Sequence, residues 1–137
     1  MSYLLDTNVV SEIARARPNA TVMGWFESVS DAELHLSVLS VGEIRRGIEK
    51  LSPGKRRTEL SGWLEQRLPE WFGPRLLPID QVVADRWGRL IAAALRPLPA
   101  VDSLLAATAL VHGLAVVTRN VGDFTLPGLR VINPWQA

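Results

Sequence analysis

The sequence predicts an α/β fold, in which a mainly parallel sheet of about four to five strands lies between helices. Short apolar runs alternate with stretches whose apolar residues recur at helical spacing, as in successive βα units. The chain has 137 residues, the length of one domain. Hydrophobic residues make up 47% of it and charged residues 21%, which is typical of a globular protein with one core.

The first third of the chain contains two predicted strands. Tyr3 to Leu5 is an apolar run that stops at an Asp-Thr-Asn triplet, so it predicts a buried strand. Helical spacing from Val9 onward predicts a helix that ends at Pro18, and a second short helix finishes near Ser28. The alternation of residues 34–36 predicts the next strand.

Two amphipathic helices and a third strand are predicted in the middle of the chain. Apolar positions from Val41 to Leu51 share one helical face. A second stripe runs from Leu60 to Trp71, and we expect Pro69 and the Gly73-Pro74 pair to end it. Residues 76–79 then predict a short strand.

The last third predicts two helices and two strands. Asp80 is a natural N-cap, and apolar residues keep helical spacing from Val83 to Leu95. A further helix is expected to begin at Asp102, whose carboxylate could cap it, and to end at Gly113. The last two strands are predicted at residues 115–117 and 130–132.

Several classes of protein are excluded or disfavoured by composition. The chain has no cysteine, which excludes disulfide scaffolds, thiolate zinc sites and iron–sulfur clusters. Its two histidines, His35 and His112, have no second nitrogen or sulfur ligand at a suitable spacing, so we interpret both as structural. No apolar stretch reaches the ~20 residues of a membrane span. The N-terminus lacks a basic region before an apolar run, and we therefore expect a cytoplasmic protein.

Four acidic residues fall at predicted junctions between strands and helices. Asp6 ends the first strand, and Glu43 lies one turn into the helix after the second. Asp102 begins the last long helix, and Asp123 lies in the loop after the fourth strand. Ligands of open α/β sheets bind outside the carboxyl ends of the strands. We therefore expect these four carboxylates to meet at that edge.

Each acid also has an ordinary structural interpretation. Asp6 and Asp102 could be N-caps, Ser40 to Glu43 matches a capping box, and Asp123 beside Gly122 could be a turn residue. The joint pattern favours a site, because converging carboxylates repel one another and raise one another's pKa unless a divalent cation neutralises them. Ligands that are all oxygen suit Mg²⁺ or Mn²⁺.

Such a site is suited to phosphodiester hydrolysis, in which the metal activates a water for in-line displacement at phosphorus. The net charge is only +1. Setting the four acids aside leaves fifteen basic against ten acidic residues, an excess that could hold a nucleic-acid backbone. Six of the basic residues lie between Arg45 and Arg57. This basic cluster is either a solvated helix face or a surface for a partner or DNA.

Four blocks of sequence carry a resemblance to a known family. They are LLDTNVVSE at 4–12, SVGEIRRGI at 40–48, DSLLAATAL at 102–110 and TRNVGDF at 118–124. With the terminal Asn133-Pro134-Trp135, they resemble the PIN-domain ribonuclease toxins of type II toxin–antitoxin systems, of the VapC family and its FitB-like branch. The match runs in order along the chain, so a single PIN domain over residues 1–137 is expected.

The resemblance implies a Rossmann-like, three-layer α/β/α sandwich and a Mg²⁺- or Mn²⁺-dependent endoribonuclease that hydrolyses RNA through a metal-activated water. It also implies a homodimer, inhibition by a VapB-like antitoxin, and operator DNA bound only through that antitoxin. By motif, the metal-binding residues correspond to Asp6, Glu43, Asp102 and Asp123. Thr118 and Asn120 would support them by orienting a carboxylate or the attacking water.

Two points are left open by the resemblance. The connection at residues 96–100 is shorter than is usual in the family, which leaves the shape of the site mouth and the choice of substrate undetermined. The alternative function is a catalytically weak PIN subunit whose main role is antitoxin binding and autoregulation at operator DNA, with metal dispensable.

Tryptophans 63, 71 and 87 lie on helical apolar stripes, which favours core or dimer packing over base stacking.

Overall fold

The structure is a computed structural model that describes residues 1–137. Its five strands are β1 (Tyr3–Leu5), β2 (Leu34–Ser37), β3 (Leu76–Leu77), β4 (Ala115–Val117) and β5 (Val131–Ile132). All neighbouring strands are parallel, in the order β3-β2-β1-β4-β5. The helices are α1 (Thr7–Ile13), α2 (Ala20–Glu27), α3 (Val38–Glu49), α4 (Lys55–Gly62), α5 (Leu68–Phe72), α6 (Gln81–Ala93) and α7 (Ala100–His112).

The sheet is buried on both faces, which confirms the predicted three-layer sandwich. Leu5 pairs with Leu36 and Val117 in register, and these side chains join the larger core cluster with residues of α1 to α5. Leu4 and Val116 point the other way and pack with α7. Because successive strand residues alternate between the two faces, three-residue apolar runs are enough to supply both layers.

The helix after Gly54 continues through Pro69, so the prediction that Pro69 ends it is wrong. A π-helical turn, Trp63–Arg67, joins α4 to α5 without a break. A proline inside a helix removes one backbone hydrogen bond and clashes with the carbonyl four residues earlier. The wider turn just before Pro69 relieves this clash. The helix ends instead at Gly73, whose φ of +50° favours glycine.

Prolines also shorten two other predicted elements. The strand expected at residues 76–79 stops at Leu77, because Pro78 has no N–H to donate to a neighbouring strand. Helix α6 ends at Ala93 rather than Leu95, because Pro97 cannot donate to the Ala93 carbonyl. Leu95 is fully exposed as a result. Helix α7 ends as predicted at Gly113, which is left-handed with φ +66°.

The tryptophans on helical stripes are packing residues in this chain. Trp63 and Trp71 pack against the larger core cluster. Trp87, on α6, faces α7, and its indole N–H donates to Ser103 Oγ at 2.9 Å. No helix is long and apolar enough to cross a lipid bilayer.

Candidate functional site

Asp6 is the most buried of the four candidate acids. Its backbone N–H donates to the Val117 carbonyl at 2.9 Å, so the residue continues the pairing of β1 with β4. The residue is 6% exposed. One carboxylate oxygen accepts from the Thr7 N–H at 2.7 Å and caps α1, and the other accepts from the Thr118 hydroxyl at 2.8 Å. Asp6 is therefore an N-cap as well as one of the four acids at the carboxyl edge of the sheet, the acidic edge.

Thr118 and Asn120 connect the end of β4 to Asp6. Thr118 is fully buried, and its hydroxyl donates to Asp6 and accepts from the Asn120 N–H at 3.0 Å. The Asn8 amide donates to the same hydroxyl at 3.5 Å, and the Asn8 oxygen accepts from the Arg119 N–H at 3.4 Å. These bonds hold the Asp6 carboxylate in one orientation. Asn120 contributes through its backbone, while the residue itself is exposed.

Glu43 reaches the site from the second turn of α3. The capping-box interpretation is wrong, because α3 begins earlier and its N-cap is Ser37, whose hydroxyl accepts from the Leu39 N–H. Glu43 Oε1 instead accepts from the Thr7 hydroxyl at 2.6 Å. Thr7 Oγ also lies 2.8 Å from the buried Ser40 Oγ. A hydroxyl has one proton to donate, so Ser40 donates to Thr7 and Thr7 donates to Glu43.

Asp102 lies in the first turn of α7, at its third residue. Its expected role as the N-cap is wrong, because α7 starts at Ala100 and Pro99 occupies the cap position without a side-chain hydrogen bond. The start of the helix is held instead by Ser103. Its hydroxyl donates to the Ala100 carbonyl at 2.9 Å and accepts from Trp87. Asp102 is thereby placed at the helix N-terminus that faces the edge of the sheet.

Asp123 lies in the 3₁₀ turn Val121–Phe124 that follows β4. Its backbone N–H donates to the Asn120 carbonyl at 3.1 Å, and the fully buried Phe124 anchors the turn to the core that Leu4 and Val116 form with α7. The turn interpretation is therefore right for the backbone. Asp123 is exposed, and its charge raises the pKa of both Asp6 and Asp102.

The pKa shifts show that the four carboxylates share one electrostatic environment. Burial, which is the largest cause, and the charges of Asp6, Asp123 and Glu43 together raise the pKa of Asp102 to about 6. Burial also raises the pKa of Asp6, against the hydrogen bonds from Thr118 and Thr7 that lower it. Glu43 and Asp123 raise the pKa of Asp6 further. A site with this much carboxylate repulsion gains stability from a cation.

The donor set fits a hard divalent cation in its chemistry. All four side chains offer oxygen, His35 is on β2 with its ring beside the Glu33 carbonyl, and His112 is exposed at the far end of α7. As placed, however, no three acidic or histidine side chains are arranged so that they could hold one ion together. One Glu43 oxygen is occupied by Thr7. Binding an ion at this acidic edge therefore requires the carboxylates to move closer together.

Thr118 was expected to orient a carboxylate and does so for Asp6, whereas the other contacts that orient this acidic edge were not predicted from sequence. Thr7 and Ser40 hold Glu43, and Trp87 holds the start of α7 through Ser103. The available signal for Ser40 was its place on the apolar side of α3, where a serine needs a hydrogen-bond partner. Arg119, inside the block 118–124, was assigned no role.

The model of the PIN domain matches residues 3–124, which include all four acids. The chain belongs to the PIN domain family. It is 41% identical to the plasmid stability protein StbB of Pseudomonas syringae pv. tomato, over 98% of this chain and 99% of that protein. It is 38% identical to the toxin FitB of Neisseria gonorrhoeae, over 97% of this chain and 98% of that one. The VapC ribonuclease Y4jK of Sinorhizobium fredii is 36% identical, over 97% of each.

A solved structure supports the same assignment. The crystal structure of FitAcB from Neisseria gonorrhoeae superimposes with a TM-score of 0.89 at 37% identity, covering 98% of this PIN chain and 99% of that one. A structure of FitAB bound to the IR36 DNA fragment gives 0.88 at 36% identity, covering 97% and 95%. The resemblance to the VapC family and its FitB-like branch is thereby confirmed.

Proposed function

We propose that this PIN protein is the toxin of a VapBC-type toxin–antitoxin pair and acts as a Mg²⁺- or Mn²⁺-dependent endoribonuclease. The observation that carries the proposal is the set of four mutually repelling carboxylates at the carboxyl edge of the sheet. A charge arrangement that opposes folding is typical of a functional site rather than of a structural one. Relatives of nearly the same length are named as a toxin and a ribonuclease.

Asp6, Glu43, Asp102 and Asp123 would hold the cation. The bound ion would supply positive charge that activates a water and stabilises the displacement at phosphorus. The protein's own contribution is orientation. Thr118 holds Asp6, supported by the Asn120 N–H, and Thr7 holds Glu43. Asp6 and Glu43, fixed in this way, lose little freedom when an ion binds, so the approach that ion binding requires would come from Asp102 and Asp123.

The partners proposed for this chain follow from those named for its relatives. We expect a small VapB-like antitoxin to bind it in the cytoplasm. We expect operator DNA to be contacted through that antitoxin, by analogy with FitAB, whose structure was solved bound to the IR36 DNA fragment. We also expect a homodimer. Helix α6 supports this, because only Val83 of its apolar stripe is buried, while Trp87, Leu90 and Ile91 are partly exposed.

The alternative, a catalytically weak subunit that mainly binds antitoxin and DNA, depends on the basic cluster at 45–57. Half of that cluster is already paired with acids: Arg45 with Glu65 at 2.8 Å, Arg57 with Glu49 at 2.7 Å, and Lys55 with Glu59 at 3.9 Å. Exposed pairs of this kind are typical of a solvated helix face. The acidic edge retains all four carboxylates, which favours the enzyme.

The deciding experiment is cleavage of a structured RNA pool by antitoxin-free protein with Mg²⁺ or Mn²⁺. We expect cuts that EDTA and Asp102→Asn abolish. Asp85→Asn is the matched control, because Asp85 is an exposed aspartate on α6 that pairs with Arg89. We expect cuts in single-stranded loops rather than in duplex, because unpaired bases can be splayed into a narrow site. Equal inertness of wild type and Asp102→Asn with every metal would favour the binding subunit.

Growth arrest on expression gives an independent readout in cells. The nuclease proposal predicts that Asp6→Asn relieves the arrest while Asp85→Asn leaves it intact. Arrest that persists in Asp6→Asn would point to an activity that does not use the acidic edge.

A further inference from the structure

Arg119 is an exposed cation beside the acidic edge that makes no ion pair. It lies between Thr118 and Asn120, which bond to each other, and its own N–H donates to Asn8 at 3.4 Å. No carboxylate lies within 4.0 Å of its guanidinium, so it is absent from the six salt bridges. Its backbone is fixed to the site while its charge is left unsatisfied.

The Arg119 side chain is held against an aromatic ring. Its guanidinium carbon lies 5.0 Å from the centroid of the Trp135 ring, at cation–π distance. Trp135 in turn packs against the larger core cluster, and its backbone N–H donates to Asn133 Oδ1 at 3.0 Å. The ring is thus a fixed platform, and the stacked guanidinium still has N–H groups at its rim to donate. Stacking reduces the freedom that the arginine loses on binding a ligand.

The backbone of Arg119 is tied to the acidic edge, while its guanidinium is displaced toward Trp135 and the side of α1. The charges that shift the pKa of Asp6 and Asp102 are all acidic, whereas the Arg119 charge acts on Glu12 at the side of α1. A cation that served only to stabilise the acidic edge would lie against those carboxylates. Its position suits a second anion, displaced from the point where the carboxylates converge.

We propose that Arg119, stacked on Trp135, binds a backbone phosphate of single-stranded RNA next to the phosphate that is cleaved. The planar guanidinium matches phosphate with two parallel hydrogen bonds. RNA carries one phosphate per nucleotide, so a strand with one phosphate at the acidic edge presents the next to a cation beside it. This inference rests on the proposed function, because it names part of the substrate site of the same nuclease.

The test is equilibrium binding of a short labelled single-stranded oligoribonucleotide to antitoxin-free Asp102→Asn protein in Mg²⁺, over a range of salt. Asp102→Asn prevents cleavage, so binding is measured without activity. We compare Arg119→Ala and Arg119→Lys in that background. Arg130→Ala is the matched control, because Arg130 is an exposed arginine without a salt bridge that precedes β5, at the opposite edge of the sheet.

We expect Arg119→Ala to bind about three- to tenfold more weakly at about 100 mM salt, with a slope of log K against log salt shallower by about 0.7. Arg119→Lys should keep the slope, since its charge remains, but bind more weakly than arginine because the planar fork is lost. Arg130→Ala should match the parent protein. A purely structural role for Arg119 would lower the melting temperature and leave the slope unchanged.

Two outcomes would overturn the inference in distinguishable ways. If the Asp102→Asn protein binds RNA, and adding Arg119→Ala or Arg130→Ala to it gives the same affinity and the same salt slope, the phosphate contact is wrong while the nuclease proposal stands. If the Asp102→Asn protein binds no RNA, the Arg119 variants are compared instead by the KM of cleavage in the wild-type background. An unchanged KM for Arg119→Ala then overturns the contact while the nuclease proposal stands, and absence of cleavage by the wild-type protein overturns both.

Discussion

Asp6 illustrates how a single residue serves both folding and the proposed chemistry. One carboxylate oxygen caps α1, and the other accepts from a buried threonine at the end of the neighbouring strand β4. Burial opposes its ionisation, and the two hydrogen bonds favour it. The orientation of Asp6 therefore depends on Thr118, which is 112 positions away in sequence.

Replacing Thr118 by valine should destabilise the protein, because the shape is kept while a buried carboxylate oxygen loses its donor. We expect a loss of about 1–3 kcal/mol in the free energy of unfolding, measured with urea at neutral pH. Thr125→Val is the control, since Thr125 is exposed and its hydroxyl bonds only to the Val121 carbonyl. Equal losses in the two variants would contradict the role given to Thr118.

Asp102→Asn should make the metal-free protein more stable at pH 8 while abolishing cleavage. The folded-state pKa of Asp102 is about 6 against an ordinary value of 3.8. In the pH window between these two values, the folded state holds a proton that the unfolded state has released. Stability therefore falls as pH rises through the window. Asparagine removes this fall. Thermal unfolding of the wild type, Asp102→Asn and the control Asp85→Asn in EDTA, from pH 4 to pH 8, measures the effect. Parallel curves of melting temperature against pH for the three proteins would contradict the prediction.

Helix α7 shows how an element without a capping side chain is held in place. Pro99 cannot cap it, and Ser103 bonds to the Ala100 carbonyl while accepting from Trp87 of α6. The position of Asp102 in the first turn thus depends on the packing of α6 on α7.

Trp87→Phe and Ser103→Ala should each cost about 0.5–1.5 kcal/mol in the free energy of unfolding. The double variant should cost less than their sum, because both single changes remove the same hydrogen bond. Urea denaturation of the wild type, the two single variants and the double variant gives the coupling free energy between Trp87 and Ser103. Trp63→Phe combined with Ser103→Ala should be additive, since Trp63 packs against the larger core cluster on the other face of the sheet. Additivity in the Trp87 pair would rule out a shared bond.

The elements with simple apolar patterns could be predicted from sequence, and those that depend on distant contacts could not. The predictions of β1 and β4 are confirmed, because each strand is a short apolar run that stops at a polar residue, Asp6 or Thr118. The prediction at Pro69 is wrong because the π-helical turn that accommodates it has no local signal. The capping-box interpretation of Ser40 and Glu43 is wrong because Thr7, from another element, provides the partner.

For the site, the sequence was sufficient to indicate which acids share the carboxyl edge. Their positions follow from parallel topology, which is a property of the fold class. The orientation of the Asp6 and Glu43 carboxylates follows from hydrogen bonds with Thr118 and Thr7, and the start of α7, which carries Asp102, is held by the bond between Ser103 and Trp87. Such contacts depend on packing that exists only in the folded chain.

At the scale of the whole molecule, the repulsion at the acidic edge predicts that divalent cations stabilise the protein. We expect Mg²⁺ or Mn²⁺ to raise the melting temperature, by an amount that corresponds to about 2.7 kcal/mol at a hundred times the dissociation constant. The rise should be larger at pH 8 than at pH 5, where protons compete for Asp102.

Calorimetric scans at constant ionic strength test this prediction, with sodium salt replacing the divalent one as the reference. Asp102→Asn should lose most of the rise, and Asp85→Asn should retain it. A rise of the same size in both variants would show that the cation acts on the general surface rather than on the acidic edge.

The central position of β1 has a consequence for biosynthesis. The first strand to leave the ribosome cannot complete its pairing until β4, more than a hundred residues later, has followed it. The acids are spread in the same way, from position 6 to position 123, so no partial translation product that stops before the last of them contains the whole set. A nascent or prematurely terminated chain is therefore expected to be inert, and the cell would need to restrain only copies that have been made nearly to the end.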